Sequence, residues 1–418
     1  MSETQQLPLL VVGAGIAGVT AALEAAEAGA EVVLVEKEPF IGGRVLRNHH
    51  YFPKMCPPSC GMEINVRRLE RNPRVRVLTN TQVTAAERVG SGWSVTLTTE
   101  PAFVNDRCTA CGDCVKMCTT EVPDPFNLGM KQVPAIRLPH LNAWPKRFHF
   151  DRAPVGDQEA KAIADACQYG AIDLEATQTT ETLEVGAAVL ATGWQPYPIE
   201  RLEEFGGGVH QDVIANVQLE RMVSPEGPTE GKILRLSDGQ APKKIAFVQC
   251  AGSRDVNHLP YCSGICCLAS MKQALYVHEQ LPEAEVTIYY IDRRAPGRNE
   301  DMLLKVAEIE GVSLVKGKVG KIEQAGDGLK LKLEDVDAGT IVEVDADLVV
   351  LATGMMPSTA ELDMPLLTAK DDDGFVLDDL EAGVVAAGVA RRPEDVASSV
   401  RDATGAVARA WAAAGRRA

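Results

Sequence analysis

The sequence lacks a continuous apolar run long enough to span a membrane, which takes about 20 residues. Aromatic residues make up only 5% of the chain, and no basic segment precedes the first apolar run. Lys and Arg (42) are outnumbered by Asp and Glu (58), so the formal net charge is −16. This charge disfavours nucleic acid and anionic lipid as direct partners. We therefore expect an unprocessed, cytoplasmic protein with no direct membrane span.

A disulfide framework is also not expected, although the chain contains eleven cysteines. The number is odd, and no secretion signal accompanies it, so the cysteines are better explained as metal ligands or redox groups. The seven histidines show no paired metal-ligand spacing. With 418 residues the chain is long enough for two or three domains.

The N-terminal segment has the pattern of a dinucleotide-binding βαβ unit. A buried apolar strand over residues 9–12 runs into Gly13, Gly15 and Gly18, which form G-x-G-x-x-G before an alanine-rich helix. The first glycine allows the tight turn, the second lets a pyrophosphate approach the helix N-terminus, and the third permits close helix–strand packing. Glu36 ends the next strand, where an acid can bind the ribose hydroxyls. The combination predicts a nucleotide site.

Three later segments favour FAD over NAD, because they are typical of two-domain flavoproteins. These are "GGR" after the second strand, two strand-plus-"ATG" segments, and "AAGVARRPEDV" near the C-terminus. They add the following candidate flavin contacts: Gly42, Gly43, Arg44, Thr192, Gly193, Gly354, Gly388 and Val389. Val389 stands where such flavoproteins usually have Asp, so we expect backbone contacts there. Pro393 is predicted to begin a helix that runs to about Ala413.

The middle of the chain begins like a second Rossmann unit but lacks its fingerprint. After the strand in "PKKIAFVQCAGSRD", the turn carries Cys250 and has lost the first two glycines. We expect the fold to be retained and the NAD(P)H site to be lost. An NAD(P)H-dependent disulfide reductase of the thioredoxin-reductase type is the main alternative function, and a non-catalytic scaffold with vestigial sites is another.

The segment "CTACGDCVKMC" has the spacing of a bacterial ferredoxin motif. In that motif the fourth cysteine, here Cys118, ligates the other cluster of a pair, so a remote cysteine completes the first. The segment "ACQYGAIDL" resembles the end of a second ferredoxin half and supplies that remote cysteine. We predict one [4Fe–4S] cluster, with zinc as the alternative, on Cys108, Cys111, Cys114 and Cys167.

A second group of cysteines has irregular spacing: Cys250, Cys262, Cys266 and Cys267. A second [4Fe–4S] cluster suits these four thiols, but the spacing alone leaves the assignment open. A further pair, Cys56 and Cys60, is a possible redox dithiol, part of a metal site, or structural. Two prolines separate the pair and predict a loop, since they resist helix formation.

With these motifs in the same order, the chain resembles the A-subunit family of the heterodisulfide reductases. The matching segments are "GGR…FP…C…C", the ferredoxin-like run, "QCAGSRD…PYCSGICC…K" and "AAGVARRPEDV". The short length and "FPKMCPPSCGMEINVRR" are most similar to one branch, found in the quinone-interacting membrane-bound oxidoreductase (Qmo) complex. The resemblance implies that the second cysteine group binds a [4Fe–4S] cluster. Cys250 would ligate either the cluster of its own chain or the cluster of a partner subunit.

The resemblance also implies a function and partners. It predicts an oxidoreductase subunit that transfers electrons through FAD and two [4Fe–4S] clusters, between a membrane quinone-linked partner and a soluble one such as adenylylsulfate reductase in sulfur metabolism. The expected partners are a paralogous flavoprotein and a membrane haem or quinone subunit. They would hold the chain at the cytoplasmic side of the inner membrane.

The predicted fold class is α/β, with two Rossmann-like dinucleotide-binding folds of the thioredoxin-reductase type and an inserted ferredoxin-like module. The expected ranges are 1–100, 176–240 and 350–418 for a discontinuous FAD domain, 101–175 for the insert, and 241–349 for the degenerate middle domain that carries the second cysteine group.

Overall fold

A computed structural model describes residues 7–415. The helices in this range are α1 (Ile16–Glu27), α2 (Pro58–Arg71), α3 (Asp157–Asp165), α4 (Asn216–Met222), α5 (Cys266–Gln280), α6 (Glu300–Ala307) and α7 (Val396–Gly415). The strands are β1 (Leu9–Val12), β2 (Val32–Val35), β3 (Val75–Leu78), β4 (Thr81–Val89), β5 (Gly92–Thr99), β6 (Glu121–Pro123), β7 (Gln132–Pro134), β8 (Ile136–Arg137), β9 (His149–Phe150), β10 (Thr179–Val185), β11 (Ala187–Leu190), β12 (Trp194–Pro196), β13 (Val213–Ala215), β14 (Lys244–Ala251), β15 (Glu285–Tyr290), β16 (Val312–Ala325), β17 (Gly328–Asp335), β18 (Thr340–Ala346), β19 (Leu348–Thr353), β20 (Met355–Pro357) and β21 (Val384–Ala386).

The first sheet is parallel and has the strand order β21-β11-β1-β2-β3. Its inner strands are continuously apolar because both faces are covered. Helices α1 and α7 pack on one face, and their small side chains allow a close approach. The antiparallel sheet β10-β5-β4 packs on the other face. The carboxyl ends of β1 and β2 therefore open on one edge, where ligands of such sheets bind.

The second sheet has seven strands in the order β13-β19-β14-β15-β16-β17-β18. The first five strands of this order, from β13 to β16, pair in parallel. Strands β17 and β18 extend the sheet beyond β16 by antiparallel pairing. Helices α4, α5 and α6 contribute the apolar residues that cover one face. Strands β12 and β20, where the chain crosses between the two sheets, pair antiparallel.

One predicted boundary differs from the structure. Residues 213–222, expected within the flavin domain, form β13 and α4 of the second sheet. The reason is strand pairing: β13 runs parallel to β19, with Val213 opposite Val349 and Ala215 opposite Leu351. We propose 213–353 as the extent of the middle domain, in place of 241–349.

The insert between β5 and β10 has its own small core. Phe150, Ile136 and Ile163 are fully buried there, and α3 packs beside two short antiparallel strand pairs. The insert is joined to the first sheet by a backbone hydrogen bond from Ile41 N to Trp144 O at 3.0 Å. Within residues 7–415, the structure contains no helix that is both long and apolar enough to cross a membrane.

Candidate functional site

The turn between β1 and α1 is fixed by its glycines. Gly13 has a φ of 97°, and a Cβ there would lie 2.4 Å from the Ala191 carbonyl oxygen. A Cβ on Gly18 would lie 1.7 Å from the Gly13 carbonyl oxygen. A Cβ on Gly15 would meet only Gly43 Cα, at 4.0 Å. Gly13 and Gly18 are therefore required by the chain itself, whereas Gly15 leaves open space for a ligand at the N-terminus of α1.

Glu36 ends β2 and is buried, with 7% of its surface exposed. Its carboxylate accepts hydrogen bonds from Ala14 N at 2.7 Å and from Glu38 N at 3.0 Å. Burial raises the pKa of Glu36, and the two backbone donors act in the opposite direction. The side chain is therefore fixed against the glycine turn, at the strand end where an acid meets a ribose.

A cavity of about 1000 Å³ lies beside this turn and reaches the helices of the second sheet. Its volume is at the upper end of the range for ligand pockets, which suits an extended dinucleotide such as FAD. The hydroxyl of Thr192 is buried without a hydrogen-bond partner in this wall. Eight of the predicted flavin contacts line the cavity: Gly13, Gly15, Glu36, Gly43, Arg44, Thr192, Gly193 and Val389.

The other predicted contacts lie outside the cavity wall: Gly18, Gly42, Gly354 and Gly388. They have steric roles instead. A Cβ on Gly42 would lie 2.2 Å from the Leu46 side chain, and one on Gly354 would lie 2.2 Å from Ser253 Oγ. Gly388 has a φ of 63°, in the left-handed region that glycine adopts readily. These residues shape the segments that border the cavity.

Arg44 joins two cavity segments that are distant in the chain. Its Nε donates to Trp194 O at 2.6 Å, its Nη2 bonds Gln195 Oε1, and the guanidinium lies 5.1 Å from the Trp194 ring centroid. Burial, followed by repulsion from Arg47, lowers the pKa of Arg44 to about 9. Arg44 therefore holds the "GGR" segment against the first "ATG" segment at the cavity wall.

The predicted start of the C-terminal helix at Pro393 is wrong. Helix α7 begins at Val396, because Asp395 caps it: its carboxylate accepts Ser398 N at 2.7 Å and its carbonyl accepts Ser399 N at 2.9 Å. The first turn of α7 lines the cavity. The positive end of the helix dipole therefore faces the ligand space, where it favours negative charge.

An ion pair in the cavity wall was not predicted from the sequence. Lys272 of α5 and Glu220 of α4 both line the cavity, and their charged groups lie 2.8 Å apart. Gln273 donates to Glu220 at 2.7 Å, and Lys272 donates to His50 O at 2.7 Å. In the sequence, the only indication of this ion pair is a lysine among the apolar residues of α5.

The first cysteine group surrounds a second, smaller cavity, which Val104, Ile136 and Phe148 also line. The four predicted ligands all contribute to its wall: Cys108, Cys111, Cys114 and Cys167. Burial, followed by the other three thiols, raises the pKa of Cys114 to about 11. Backbone N–H groups point at two of the sulfurs, Ala110 N at Cys108 (3.4 Å) and Ala171 N at Cys167 (3.3 Å). Hydrogen bonds to the sulfurs help to set the potentials of Fe–S sites, and four thiols are the donor type that such a cluster takes.

Cys118 lies outside that cavity wall, and its thiol donates to Thr120 O at 3.3 Å. The neighbouring N–H groups of Thr119 and Thr120 donate to the Glu159 carboxylate at 2.6 and 2.8 Å. The hydrogen bond from the Thr120 hydroxyl at 2.7 Å, followed by these backbone donors, lowers the pKa of Glu159 to about 2. The fourth cysteine of the ferredoxin-like run therefore does not line the cavity that the other three surround.

The second cysteine group gathers around the N-terminus of α5, which begins at Cys266 and Cys267. Burial raises the pKa of Cys266 well above its usual value, and the thiols of Cys250, Cys267 and Cys262 raise it further. The three other thiols, all from this one chain, therefore lie close enough to Cys266 to affect its charge. Gly264 N points at the Cys262 sulfur at 3.4 Å.

The β14–α5 connection explains why no dinucleotide turn forms in the second sheet. In the first sheet, α1 starts four residues after β1 ends, at Ile16 after Val12. In the second sheet, residues 252–265 separate β14 from α5, and the register of β14 shifts between Val248 and Ala251. This longer loop carries a predicted ligand, Cys262, and replaces the tight turn that binds a pyrophosphate in a dinucleotide-binding fold.

Within the described range, no group of three or more His, Cys, Asp or Glu side chains is arranged to hold a metal ion. All eleven cysteines are free. Cluster ligation by the two cysteine groups therefore stays a prediction, supported by their placement and their N–H···S contacts.

Cys56 and Cys60 lie outside both cavity walls, although Tyr51 and Lys54 line the large one. Cys56 is half-buried and Cys60 is exposed. The predicted loop here is wrong in part, because α2 begins at Pro58 and includes Cys60. Proline is well accommodated at the first helical position, where its missing N–H costs nothing.

Comparisons with known proteins agree with this geometry. A family model described as "FAD dependent oxidoreductase" matches residues 8–48, which contain the glycine turn and Glu36. The A subunit of the H(2):CoB-CoM heterodisulfide,ferredoxin reductase of Methanothermobacter marburgensis is 34% identical over 96% of this chain. The second iron-sulfur A subunit of the CoB–CoM heterodisulfide reductase of Methanopyrus kandleri is 35% identical over the same share.

The chain is a homologue of the heterodisulfide reductase A subunits. It spans 63% of the length of each of these two relatives. The predicted resemblance to this family is therefore confirmed.

Solved structures support the fold of this A-subunit homologue. Thioredoxin reductase from Lactococcus lactis has a TM-score of 0.53 at 13% identity, covering 98% of this chain and all of that one. The thioredoxin reductase of T. acidophilum has a TM-score of 0.52 at 15% identity, covering 97% and 98%. At such identities the likeness concerns the fold alone. It confirms the predicted two-domain, thioredoxin-reductase-like α/β flavoprotein fold.

Proposed function

We propose that this A-subunit homologue is the FAD- and iron–sulfur-containing electron-transfer subunit of a heterodisulfide-reductase-like complex. One observation carries the proposal: a single chain combines a dinucleotide-sized cavity with two groups of four cysteines, and one group occupies the turn of the second Rossmann unit. Such a combination suits a chain that relays electrons, whereas a pyridine-nucleotide enzyme needs that turn for its cofactor.

Bound FAD would supply two-electron chemistry and the clusters one-electron transfer. The chain's own residues bind and orient these groups. The glycine turn and Glu36 would hold the dinucleotide, and the N-terminus of α7 would favour negative charge beside it. The Lys272–Glu220 pair places a buried cation and a buried anion at the same cavity.

The finer proposal concerns the complex. The "FPKMCPPSCGMEINVRR" segment supports membership of the Qmo branch. In that setting, the partners would be a paralogous flavoprotein and a membrane haem or quinone subunit, with adenylylsulfate reductase as the soluble partner in sulfur metabolism. The chain would then lie in the cytoplasm at the inner membrane, held by its partners.

A second candidate function is that of an NAD(P)H-dependent disulfide reductase. The pair Cys56 and Cys60, both free thiols, favours it because such an enzyme requires a redox dithiol. The long loop over residues 252–265 disfavours it, because it replaces the tight turn that would bind the nicotinamide dinucleotide.

The deciding experiment is anaerobic purification or reconstitution, followed by quantitation of iron, sulfide and FAD and by EPR of the reduced protein. We expect about eight irons and one FAD per chain, as two [4Fe–4S] clusters require. NADPH should leave the flavin oxidised in stopped-flow absorbance. Protein without iron whose flavin is rapidly bleached by NADPH would contradict the proposal and support the disulfide reductase.

A further inference from the structure

The loop that carries the second cysteine group contains two unusual backbone conformations. Cys250 has a φ of 57° and Arg254 a φ of 60°, so both adopt the left-handed region that non-glycine residues rarely enter. Backbone hydrogen bonds hold the turn: Ser253 N donates to Cys250 O at 3.1 Å, and Arg254 N donates to Tyr261 O at 3.0 Å. Such strain persists only where the surroundings enforce it, and it is common at functional sites.

The turn brings the Arg254 side chain back onto the cysteines. Its guanidinium forms an ion pair with Asp292 at 2.8 Å, and its positive charge acts on the thiol of Cys250 at the start of the same turn. The Asp292 carbonyl oxygen in turn accepts a hydrogen bond from the Cys267 thiol at 3.5 Å. Arg254 is thus connected to two of the four cysteines, one directly and one through the residue that anchors it.

The charges around this group come from the loop and from the segment after β15. Burial, followed by the Cys267 thiol, raises the pKa of Cys250, and the positive charge of Arg254 acts in the opposite direction. Arg294 contributes a backbone N–H and a positive charge to Cys267, and lies 3.9 Å from Asp292. Arg293 instead stacks over the Tyr290 ring at 5.1 Å. Arg254 is therefore the cation that reaches Cys250 itself, while Arg293 offers a neighbouring arginine for comparison.

We propose that Arg254 is a positioning residue for the second cluster: it donates a hydrogen bond to the Cys250 sulfur and stabilises the reduced state of the cluster. The inference rests on the proposed function, since it requires a cluster on Cys250, Cys262, Cys266 and Cys267. Charge-assisted hydrogen bonds from guanidinium groups are among the stronger polar contacts in proteins. Hydrogen bonds to cluster sulfurs and local charge are known determinants of cluster potential.

The sign of the effect follows from charge. Reduction adds one electron and so one negative charge to the cluster, which a nearby cation stabilises. Replacing Arg254 by Gln removes that cation and keeps a side chain of similar length. We expect the equilibrium constant for reduction of the second cluster to fall about tenfold. For a one-electron couple this corresponds to a midpoint potential ~59 mV more negative.

The test uses the full chain, reconstituted anaerobically with FAD, iron and sulfide, in an EPR-monitored redox titration. Cys262→Ser identifies the second cluster's signal by its loss. Arg254→Gln should shift that signal's midpoint, Arg254→Lys should shift it less, and the matched control Arg293→Gln should leave it unchanged. Far-UV circular dichroism and FAD content check that each variant folds.

The outcomes separate the two claims. Wild-type protein with about eight irons and an Arg254→Gln midpoint equal to wild type overturns the role of Arg254 alone. Wild-type protein with only about four irons, all of them retained in Cys262→Ser, overturns the second cluster of the proposed function and the role of Arg254 with it. Loss of second-cluster iron in Arg254→Gln but not in Arg254→Lys or Arg293→Gln supports the positioning role, and equal loss in Arg293→Gln contradicts it.

Discussion

The Nζ of Lys272 lies 2.8 Å from the Glu220 carboxylate, and each of the two side chains is only 4% exposed. Burying two charges costs several kcal/mol per ion, so each depends on its partner and on the surrounding hydrogen bonds. Here those bonds come from Gln273 and from the backbone at His49 and His50. The pair therefore fixes α4 and α5 to the segment that follows the short helical turn over residues 43–47 at the cavity.

Replacing Lys272 by Met should lower the free energy of unfolding by about 3–5 kcal/mol, because Glu220 is left buried without its counter-ion. Urea denaturation of the apoprotein measures this loss. The matched control is Lys321→Met, since Lys321 pairs with Glu323 at a surface where both side chains are more than half exposed. That control should lose less than about 1 kcal/mol. Equal losses in the two variants would contradict the prediction.

Replacing Gly18 by Ala should abolish FAD retention, because its Cβ would lie 1.7 Å from the Gly13 carbonyl oxygen and force the turn open. FAD content after reconstitution and gel filtration is the measurement. Gly61→Ala is the control, since Gly61 lies in α2 and a Cβ there meets nothing within 4 Å. Normal FAD content in Gly18→Ala would mean that the turn is not the dinucleotide site.

Replacing Cys167 by Ser should remove about four irons per chain and one EPR signal, if the cavity it lines holds a [4Fe–4S] cluster. Cys118→Ser should leave the iron content unchanged, because that thiol lies outside the cavity wall. Iron quantitation on anaerobically reconstituted protein distinguishes the two variants. Iron loss in Cys118→Ser with none in Cys167→Ser would reverse the ligand assignment.

Acid should destabilise the fold through His140, which is 8% exposed and stacks on Phe126 at 4.6 Å. Burial, followed by Arg221 and Arg47, lowers the pKa of His140 to about 4. Between about pH 6.5 and pH 4 the unfolded chain binds a proton that the folded chain does not, so stability falls as pH falls. The shift corresponds to about 3 kcal/mol over that window.

The measurement is the free energy of unfolding in urea at pH 7 and at pH 5. His140→Phe should show a smaller loss on acidification than wild type, because the residue that titrates is gone. His278→Phe serves as the control, since His278 is exposed on α5. An identical pH dependence in wild type and His140→Phe would show that His140 does not couple folding to protons.

The glycine turn was predictable because its constraints are local. A Cβ on Gly18 would meet the carbonyl oxygen of Gly13, five residues earlier, and Gly13 itself has a positive φ of 97°. Buried parallel strands such as β1 likewise have a continuous apolar sequence. Features of this kind depend on neighbours in the chain, so a sequence pattern can identify them.

The predicted loop at Pro58 and the predicted helix start at Pro393 were wrong for a different reason. Pro58 and Pro393 were interpreted by residue type, whereas capping decides where the helix begins. Asp395 supplies the hydrogen bonds at the start of α7, and Pro58 fits the first position of α2. Where a helix begins relative to a proline depends on a few contacts that the residue type alone does not determine.

The polar contacts between distant segments could not be predicted. Glu220 and Lys272 belong to different helices, and Arg254 reaches Asp292 beyond the next strand. In the sequence each is one charged residue among many, and only the packed sheet brings them together. The two cysteine groups could be identified from the sequence because cysteine is a rare residue and its clustering is easy to recognise.

Helix α5 joins the two kinds of site by one rigid element. Cys266 lies in its first turn and Lys272 six residues later, at the wall of the large cavity. Because an α-helix rises 1.5 Å per residue, the two positions are separated by about 9 Å along the axis. The regular backbone of the helix therefore fixes the spacing between Cys266 and Lys272, so a movement of α5 that displaces one of these residues displaces the other with it.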